Sequence, residues 1–148
     1  AWLQRQTTLP IILKGILHPQ DALQAQRLGL AGVVVSNHGG RALEGSPASL
    51  AVLPQVRAAV GDDFMLLLDG GIRRGSDVFK ALALGAQAVL LGRPQAYGLG
   101  AAGAVGVAQM LRLLREELEL TMALAGCVTL AEITSASLVN PNELSLCY

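Results

Sequence analysis

Four short, almost entirely apolar segments recur along the chain, and each ends in polar or glycine residues. They are rich in Ile, Val and Leu and cover residues 9–16, 31–37, 64–71 and 87–93. Continuous apolar runs of this length are typical of strands buried on both faces, as in parallel sheets. Their ends, marked by Lys14, His38, Asp69 and Gly92, lie 24, 31 and 23 residues apart. Each interval has room for one helix between strands.

Helical patterns fill these intervals. Pro19 suits a first helical turn, and Gly29 and Gly61 suit helix ends. The predicted helices cover 18–29, 46–61, 75–86 and 104–125, and the last carries one apolar stripe. Residues 127–148 are predicted to form an irregular tail with a short helix near 129–134. The alternation of strand and helix predicts the α/β class, with a parallel sheet covered by helices.

Composition places the chain among packed globular proteins. Its 148 residues are 52% hydrophobic and 15% charged, which excludes disorder. The net charge of zero favours neither nucleic acid nor an anionic membrane surface as a partner. Cys127 and Cys147 are expected to be reduced thiols, with a disulfide between them as the alternative. No apolar run is expected to reach the roughly 18–20 residues that span a bilayer. We therefore expect a protein of the cytoplasm or of the cytoplasmic membrane face.

Polar side chains gather at the carboxyl ends of the predicted strands. Lys14, Ser36, His38, Asp69 and Arg93 each end or follow an apolar segment. Loops at this edge project from a rigid platform, so ligand sites of parallel α/β folds lie there. The sequence therefore predicts a functional site at this edge.

The segment SNHGGR, residues 36–41, combines an imidazole with a guanidinium. His38 can take up a proton near neutral pH. Gly39 and Gly40 let the backbone approach a ligand closely, and Arg41 can hold a carboxylate through two parallel hydrogen bonds. This combination predicts proton abstraction from a small acid. The alternatives are a hydrogen-bonded structural histidine and a solvated arginine.

Lys14 ends a very apolar strand, where an ammonium group needs an anion nearby. We interpret it as a cation that faces a developing negative charge. A structural salt bridge is the alternative.

Two later strands end in glycine and arginine, in DGGIRRGSD (69–77) and LLGRP (90–94). Backbone N–H groups of such turns can cradle a phosphate that an arginine neutralises. Adjacent strands with this pattern are typical of the phosphate site after strands seven and eight of (β/α)₈ barrels. Ordinary tight turns are the alternative, and Arg74 is expected to be solvated.

The stretch GLGAAG, residues 98–103, has the glycine spacing of a dinucleotide-binding turn. That turn must follow a strand directly, whereas the last strand is expected to end near Leu91. An acidic residue is also required about 20 residues further on, where Thr121 and Met122 stand. We therefore predict a flexible entry to the last helix here.

The segments LKGI, SNHGGR, DGGIRRGSDVFKALALGA and GRP together resemble the FMN-dependent α-hydroxy acid dehydrogenase/oxidase family. Its members include glycolate and lactate oxidases, lactate and mandelate dehydrogenases, and the flavin domain of flavocytochrome b2. The resemblance runs from about Leu9 to Ile133 and implies a (β/α)₈ TIM barrel. Residues 1–148 would be the carboxyl-terminal half of a single FMN-binding domain, covering about strands five to eight, with 127–148 as its tail.

The resemblance also implies roles for the matching positions, with FMN as the cofactor and no metal. Lys14 would lie by flavin N1 and the C2 carbonyl, and Ser36 would contact the isoalloxazine ring. His38 would be the catalytic base and would bind the substrate together with Arg41, which would grip the carboxylate. The ribityl and phosphate groups would be held by Asp69, Gly70, Gly71, Ile72, Arg73, Gly92 and Arg93. The family more often has Gln and Asp where this chain has Ala42 and Glu44.

The expected reaction is the oxidation of a small L-2-hydroxy acid, such as lactate or glycolate, to the 2-oxo acid. A half-barrel leaves edge strands unpaired, and the mean hydropathy of +0.48 is high for a free-standing half. We therefore expect activity to need the amino-terminal half as a partner, or a second copy of the chain. The resemblance implies a homo-oligomer, a tetramer. The alternatives are a catalytically incomplete flavin- or phosphate-binding fragment and another phosphate-binding TIM-barrel enzyme.

Overall fold

Strands and helices alternate along the chain, as the sequence predicts. The structure, a computed structural model, describes residues 2–139. The strands are β1 (Ile12–Ile16), β2 (Gly32–Ser36), β3 (Met65–Asp69) and β4 (Ala88–Leu90). The α-helices are α1 (Pro19–Arg27), α2 (Ser49–Val60), α3 (Gly75–Ala83) and α4 (Arg93–Ala125). Short 3-10 turns occur at Leu3–Arg5, His38–Gly40, Leu130–Glu132 and Ser135–Ser137.

The four strands form one parallel sheet in the order β1-β2-β3-β4. Neighbours in sequence are therefore neighbours in the sheet, as in the wall of a barrel. The register pairs Ser36 with Asp69, and Asp69 with Leu90. The carboxyl ends of β2, β3 and β4 thus lie at one edge, which confirms the predicted parallel α/β arrangement.

The two faces of the sheet differ in what covers them. Val33, Val35, Leu66 and Leu68 are completely buried and pack in one cluster with residues of α1, α2 and α3. Successive side chains of a strand point to opposite faces, so the other face carries Lys14, Val34, Leu67 and Asp69, among others. On that face Ile12 and Met65 are 39% and 40% exposed. Helices therefore cover one face of this sheet. No helix of the described residues covers the other, open face, although Val34 and Ser36 of the inner strand β2 are buried there.

α4 differs most from the sequence prediction. It begins at Arg93 rather than at 104, because Pro94 starts a helical segment directly after β4. The helix breaks where Ala102 (φ −152°) and Gly103 (φ +59°) leave the helical region. At Gly106 a Cβ atom would come 2.0 Å from the carbonyl oxygen of Gly98, so the two halves touch backbone to backbone. The GLGAAG stretch therefore ends one helical segment and forms the break before the next.

The same break bears on membrane-spanning length. By length and composition alone, α4 is long and apolar enough to cross a membrane, with a mean hydropathy of 1.2 over its most apolar stretch. The expectation that no apolar run reaches this length is therefore wrong. The part after the break carries the ion pairs Arg112–Glu116 and Arg115–Glu119, so the long uncharged stretch lies across the break. It is not one straight helix.

Both α4 and the residues that follow it pack on α3. Gly75, at the start of α3, lies so close to α4 that a Cβ atom there would come 2.0 Å from the backbone nitrogen of Leu118. Cys127 is buried in a small cluster with Phe79, Ala83 and Ile133. Its thiol sulfur lies 3.7 Å from the hydroxyl oxygen of Ser137. Cys147 lies outside the described residues, so the expectation of two reduced thiols stays a prediction.

Candidate functional site

The carboxyl ends of the four strands form one edge of the sheet, the rim. Three polar side chains meet at the rim on the open face, at the ends of β1, β2 and β3. The ammonium group of Lys14 forms an ion pair with Asp69 and donates a hydrogen bond to Ser36 Oγ at 2.9 Å. Ser36 in turn donates to Asp69 Oδ2 at 2.6 Å. The lysine therefore has the neighbouring anion that a cation at an apolar strand end requires. The ion pair proposed as the alternative for Lys14 is present.

Ser36 connects this cluster to the following loop. Its hydroxyl also accepts a hydrogen bond from the backbone N–H of His38 at 3.1 Å. One donated and two accepted bonds use the full capacity of a hydroxyl group. The side chain is also completely buried. The predicted contact between Ser36 and the isoalloxazine ring stays a prediction, and it would require Ser36 to exchange one of these bonds.

The Asp69 carboxyl is held in its ionised form. Burial raises its pKa, but hydrogen bonds from Lys14 and Ser36, the charge of Lys14 and the nearby His38 outweigh that effect. The pKa of Asp69 therefore lies below its ordinary value. Asp69 is therefore the anion that pairs with the Lys14 ammonium.

His38 adopts a backbone conformation that few residues other than glycine tolerate, with φ +55°. The turn around it is fixed by Asn37, whose side chain accepts from Gly39 N at 3.1 Å and donates to the carbonyl oxygen of Pro47. Backbone strain of this kind persists only where the surroundings hold it, and it is common at functional sites. The imidazole lies beside Gly15, where a Cβ atom would come 2.5 Å from His38 Nε2.

Arg41 and Arg93 both lie beside Gly39. Arg41 Nε donates to the carbonyl oxygen of His38 at 3.2 Å, and Arg93 donates to that of Gly39. The two Nη groups of Arg41 make no hydrogen bond within residues 2–139, and its side chain is exposed. A guanidinium held through Nε keeps its outer N–H groups available for a carboxylate. The structure therefore brings His38, Arg41 and Arg93 together.

The glycine-rich turns after β3 and β4 are neighbours, because Asp69 pairs with Leu90. Positions beside Gly71 and Gly92 are open, with no atom within 4 Å of where a Cβ would be. Among the described residues, the backbone N–H groups of these two glycines have no hydrogen-bond partner. Unpaired N–H groups beside open space suit a phosphate, so this part of the rim fits the phosphate of FMN.

The other residues predicted to bind the cofactor, Gly70, Ile72 and Arg73, lie in three different surroundings. Gly70 turns with φ +105° beside the side chains of Asn37 and Ser49, and Ile72 packs in the core, so only its backbone can face a ligand. Arg73 is exposed and lines a groove of about 460 Å³ between α4 and the β3–α3 turn. That groove contains neither His38 nor Lys14, so it lies to the side of the proposed site.

Sequence reasoning missed three residues that support the rim. Asn37 and Ser49 hold the SNHGGR turn, with Ser49 Oγ accepting from Asn37 N at 3.1 Å. Gly15 leaves the space for the His38 ring. A glycine directly after a lysine inside a strand is a signal that could have identified it, because such glycines mark bulges or close approaches. Within residues 2–139 no group of three or more His, Cys, Asp or Glu side chains could hold a metal ion.

Comparison with known proteins gives consistent relatives. The sequence profile described as FMN-dependent dehydrogenase matches residues 1–140. An L-lactate oxidase of Alicycliphilus denitrificans is 59% identical over 93% of this chain, and a peroxisomal (S)-2-hydroxyacid oxidase of Arabidopsis thaliana is 54% identical over 96%. The chain spans 38% and 39% of the lengths of these two relatives.

Solved structures show the same fold. A structure of mandelate oxidase with a difluorinated hydroxy acid matches 90% of this chain at 49% identity, with a TM-score of 0.86. A mandelate oxidase variant with (S)-mandelic acid matches 88% at 50% identity, with a TM-score of 0.85. The matches cover 40% and 39% of those chains. The expected fold class is confirmed: this α/β chain has the architecture of part of a TIM barrel.

Proposed function

The chain belongs to the FMN-dependent dehydrogenase family, and we propose that it carries the catalytic rim of an enzyme that oxidises small L-2-hydroxy acids to 2-oxo acids. The observation that carries this proposal is the meeting of His38, Arg41 and the Lys14–Asp69 ion pair at one sheet edge. The related oxidases named above act on lactate, 2-hydroxy acids and mandelate, which supports a substrate that has both a carboxylate and a 2-hydroxyl group.

FMN fits the rim in two places. The glycines at 71 and 92, with Arg93 and Arg73 nearby, would hold its phosphate, and the Lys14 ammonium would lie against the ring system as the family resemblance implies. When bound, FMN accepts the two electrons that leave the α-carbon of the substrate. The Lys14 ammonium would stabilise the negative charge that develops, and Asp69 keeps this ammonium in place.

His38 would take up the proton of the substrate's 2-hydroxyl group at Nε2. Its ring is fixed by the turn rather than by a partner on the imidazole, since the described residues make no side-chain hydrogen bond to it. Because no described residue uses Nε2, this nitrogen is available to the substrate, and His38 would act as a general base.

Arg41 would bind the substrate carboxylate through its outer N–H groups. A two-pronged guanidinium–carboxylate contact fixes both distance and orientation, so the α-carbon would be held facing the flavin while the hydroxyl reaches His38. Arg93, bonded to Gly39, adds a second positive charge near this point. Together the two arginines favour an anionic substrate over a neutral alcohol.

We further propose that residues 1–148 act as the carboxyl-terminal half of the FMN-binding barrel, with 127–148 as the tail, and that the amino-terminal half completes the site. The exposed face of the sheet and the edge strands β1 and β4 support this, because edges and apolar faces of sheets are normally covered. A homo-oligomer of complete barrels, a tetramer by family resemblance, in the cytoplasm or at its membrane face, is part of the same proposal.

A colour change tests the proposed function. The complete protein, loaded with FMN and kept free of oxygen, is mixed with L-lactate, glycolate or L-mandelate, and the visible absorbance of the oxidised flavin is followed. Bleaching by at least one acid is expected. A yellow protein that none of the acids bleaches would support a flavin-binding protein without turnover, and failure to bind FMN would favour a different phosphate-binding barrel enzyme.

A further inference from the structure

We propose that Gly15 is the residue that positions the imidazole of His38: the backbone bulge at Gly15 forms a seat into which the ring fits, and only a glycine leaves that space. This inference rests on the proposed function only for its kinetic consequence. The seat itself is a feature of the folded chain.

The seat begins as an irregularity in strand pairing. β1 pairs Lys14 with Val34 but Ile16 with Val35, so Gly15 is one residue too many in β1. Gly15 has φ +99°, outside the region that residues with a Cβ adopt. A bulge of this kind redirects the chain locally, and bulges are common next to active sites. The chain of β1 therefore changes direction at Gly15, next to the ring of His38.

The ring occupies the space that the missing side chain would fill. A Cβ atom on Gly15 would come 2.5 Å from Nε2, 3.2 Å from Cε1 and 3.6 Å from Cδ2 of His38. All three are atoms of the imidazole, so the ring itself faces the glycine. Nε2, the atom that would take up the proton, is the closest of the three. A methyl group there would have to push this nitrogen by about 1 Å to reach an ordinary contact distance.

The His38 backbone cannot absorb such a displacement easily. Ser36 Oγ accepts from His38 N, and Arg41 Nε donates to His38 O, so both polar groups of the peptide at this position are held. The strained φ of +55° depends on these bonds. The ring would therefore have to rotate about its own side-chain bonds, and Nε2 would leave its position beside Gly15. A shift of 1 Å at a reacting atom can lower a rate about 10²-fold.

A double-mutant cycle in the complete FMN-loaded protein tests this role, with Gly15→Ala, His38→Ala and the two combined. Gly15→Ala is expected to slow flavin reduction about 10²-fold while the carboxylate product still binds, because Arg41 is untouched. In the His38→Ala background, Gly15→Ala is expected to cause no further loss, since no ring remains to displace. The backbone strain of the alanine is present in both backgrounds and cancels in the comparison. Equal losses in both backgrounds would overturn the proposal.

Two further measurements keep the test decisive. Gly29→Ala, at a left-handed glycine with no atom within 4 Å of its would-be Cβ, controls for strain alone and should leave reduction unchanged. Imidazole ¹⁵N NMR of His38 should shift in Gly15→Ala even if no hydroxy acid reduces the flavin, so the seat is tested separately from the proposed function. An unchanged signal would overturn it. If Gly15→Ala does not fold, the combined variant should fold again, because the ring is gone. A failure of both would show that the backbone conformation at φ +99° alone requires glycine, and would overturn the proposal.

Discussion

The guanidinium of Arg93, which follows β4, donates a hydrogen bond to the carbonyl oxygen of Gly39, which follows β2. One side chain thus crosses the end of β3 and connects the proposed phosphate region with the SNHGGR turn. A ligand phosphate at Gly92 and a substrate at Arg41 would therefore share a common support.

Replacing Arg93 tests its double role. Arg93→Met removes a charge-assisted donor, so the dissociation constant of FMN should rise about 10- to 100-fold, measured by quenching of flavin fluorescence. Arg93→Lys should recover part of the affinity because it keeps the charge. Arg74→Met, at an exposed arginine three residues after Gly71, serves as the control and should bind FMN normally. FMN affinity equal to wild type in Arg93→Met would remove Arg93 from the phosphate site.

Arg41 is expected to act on the substrate and not on the flavin. Arg41→Met should lower kcat/KM for the preferred hydroxy acid roughly 10²-fold, because a two-pronged bond to the carboxylate is lost, while FMN affinity is retained. Arg41→Lys should recover little, since an ammonium group cannot form the paired contact. Steady-state kinetics check both variants, and normal kinetics in Arg41→Met would exclude the carboxylate clamp.

The lowered pKa of Asp69 predicts a pH-dependent contribution to stability. The folded protein releases this proton at a lower pH than the unfolded chain does, so the stabilisation is fully present above the ordinary aspartate pKa of about 3.9. It is lost as the pH falls through the lower folded value. In urea unfolding of the flavin-free protein, Asp69→Asn should be less stable than wild type at neutral pH.

The gap between wild type and Asp69→Asn should be constant above about pH 5 and shrink below about pH 4. Asp63→Asn, at an exposed aspartate, should show no such gap. A gap for Asp69→Asn that stays the same down to acid unfolding would show that the ion pair with Lys14 does not carry the effect.

Arg57 is expected to contribute to the stability of the folded protein and not to flavin reduction. Its half-buried guanidinium donates to the carbonyl oxygens of Gly85 (2.6 and 3.1 Å), Phe64 (3.0 Å) and Gly61, at the edge opposite the rim. Arg57→Met should lower the free energy of unfolding by about 2–3 kcal/mol, because these carbonyl groups lose their charged donor. Flavin reduction in the folded fraction should be unchanged. Urea unfolding measures the loss, and Arg112→Met, at an exposed ion pair, should change little.

The order of elements could be predicted from the sequence because it depends on local patterns. Apolar runs of strand length and helix-ending glycines produced the β-α alternation, and the position of Lys14, Ser36, His38 and Asp69 at one edge followed from parallel topology. The family resemblance added roles that residue types alone left open.

The features that could not be predicted depend on contacts between residues far apart in the sequence, or lie in the glycine-rich first part of α4. The sequence predicts a flexible entry at 98–103 and a helix from 104, whereas the structure is helical from Arg93, and Gly98 packs directly on the backbone of Gly106. The hydrogen bonds from Arg57 to the carbonyl oxygen of Gly85 join positions 28 residues apart, and no local sequence pattern predicts them. A glycine directly after Lys14 in an apolar strand indicates a bulge or a close approach, but the contact of Gly15 with His38 joins positions 23 residues apart and cannot be read from a local pattern.

The central claim is that His38 takes the substrate proton at this rim, and rapid-mixing measurement of flavin reduction in His38→Gln tests it most directly. The complete protein should still bind FMN, and reduction by the preferred L-2-hydroxy acid should be slower by about 10²–10⁴-fold, the usual range for loss of a general base. His18→Gln, at an exposed histidine that caps α1, should reduce flavin at the wild-type rate. Reduction at the wild-type rate in His38→Gln would contradict the account.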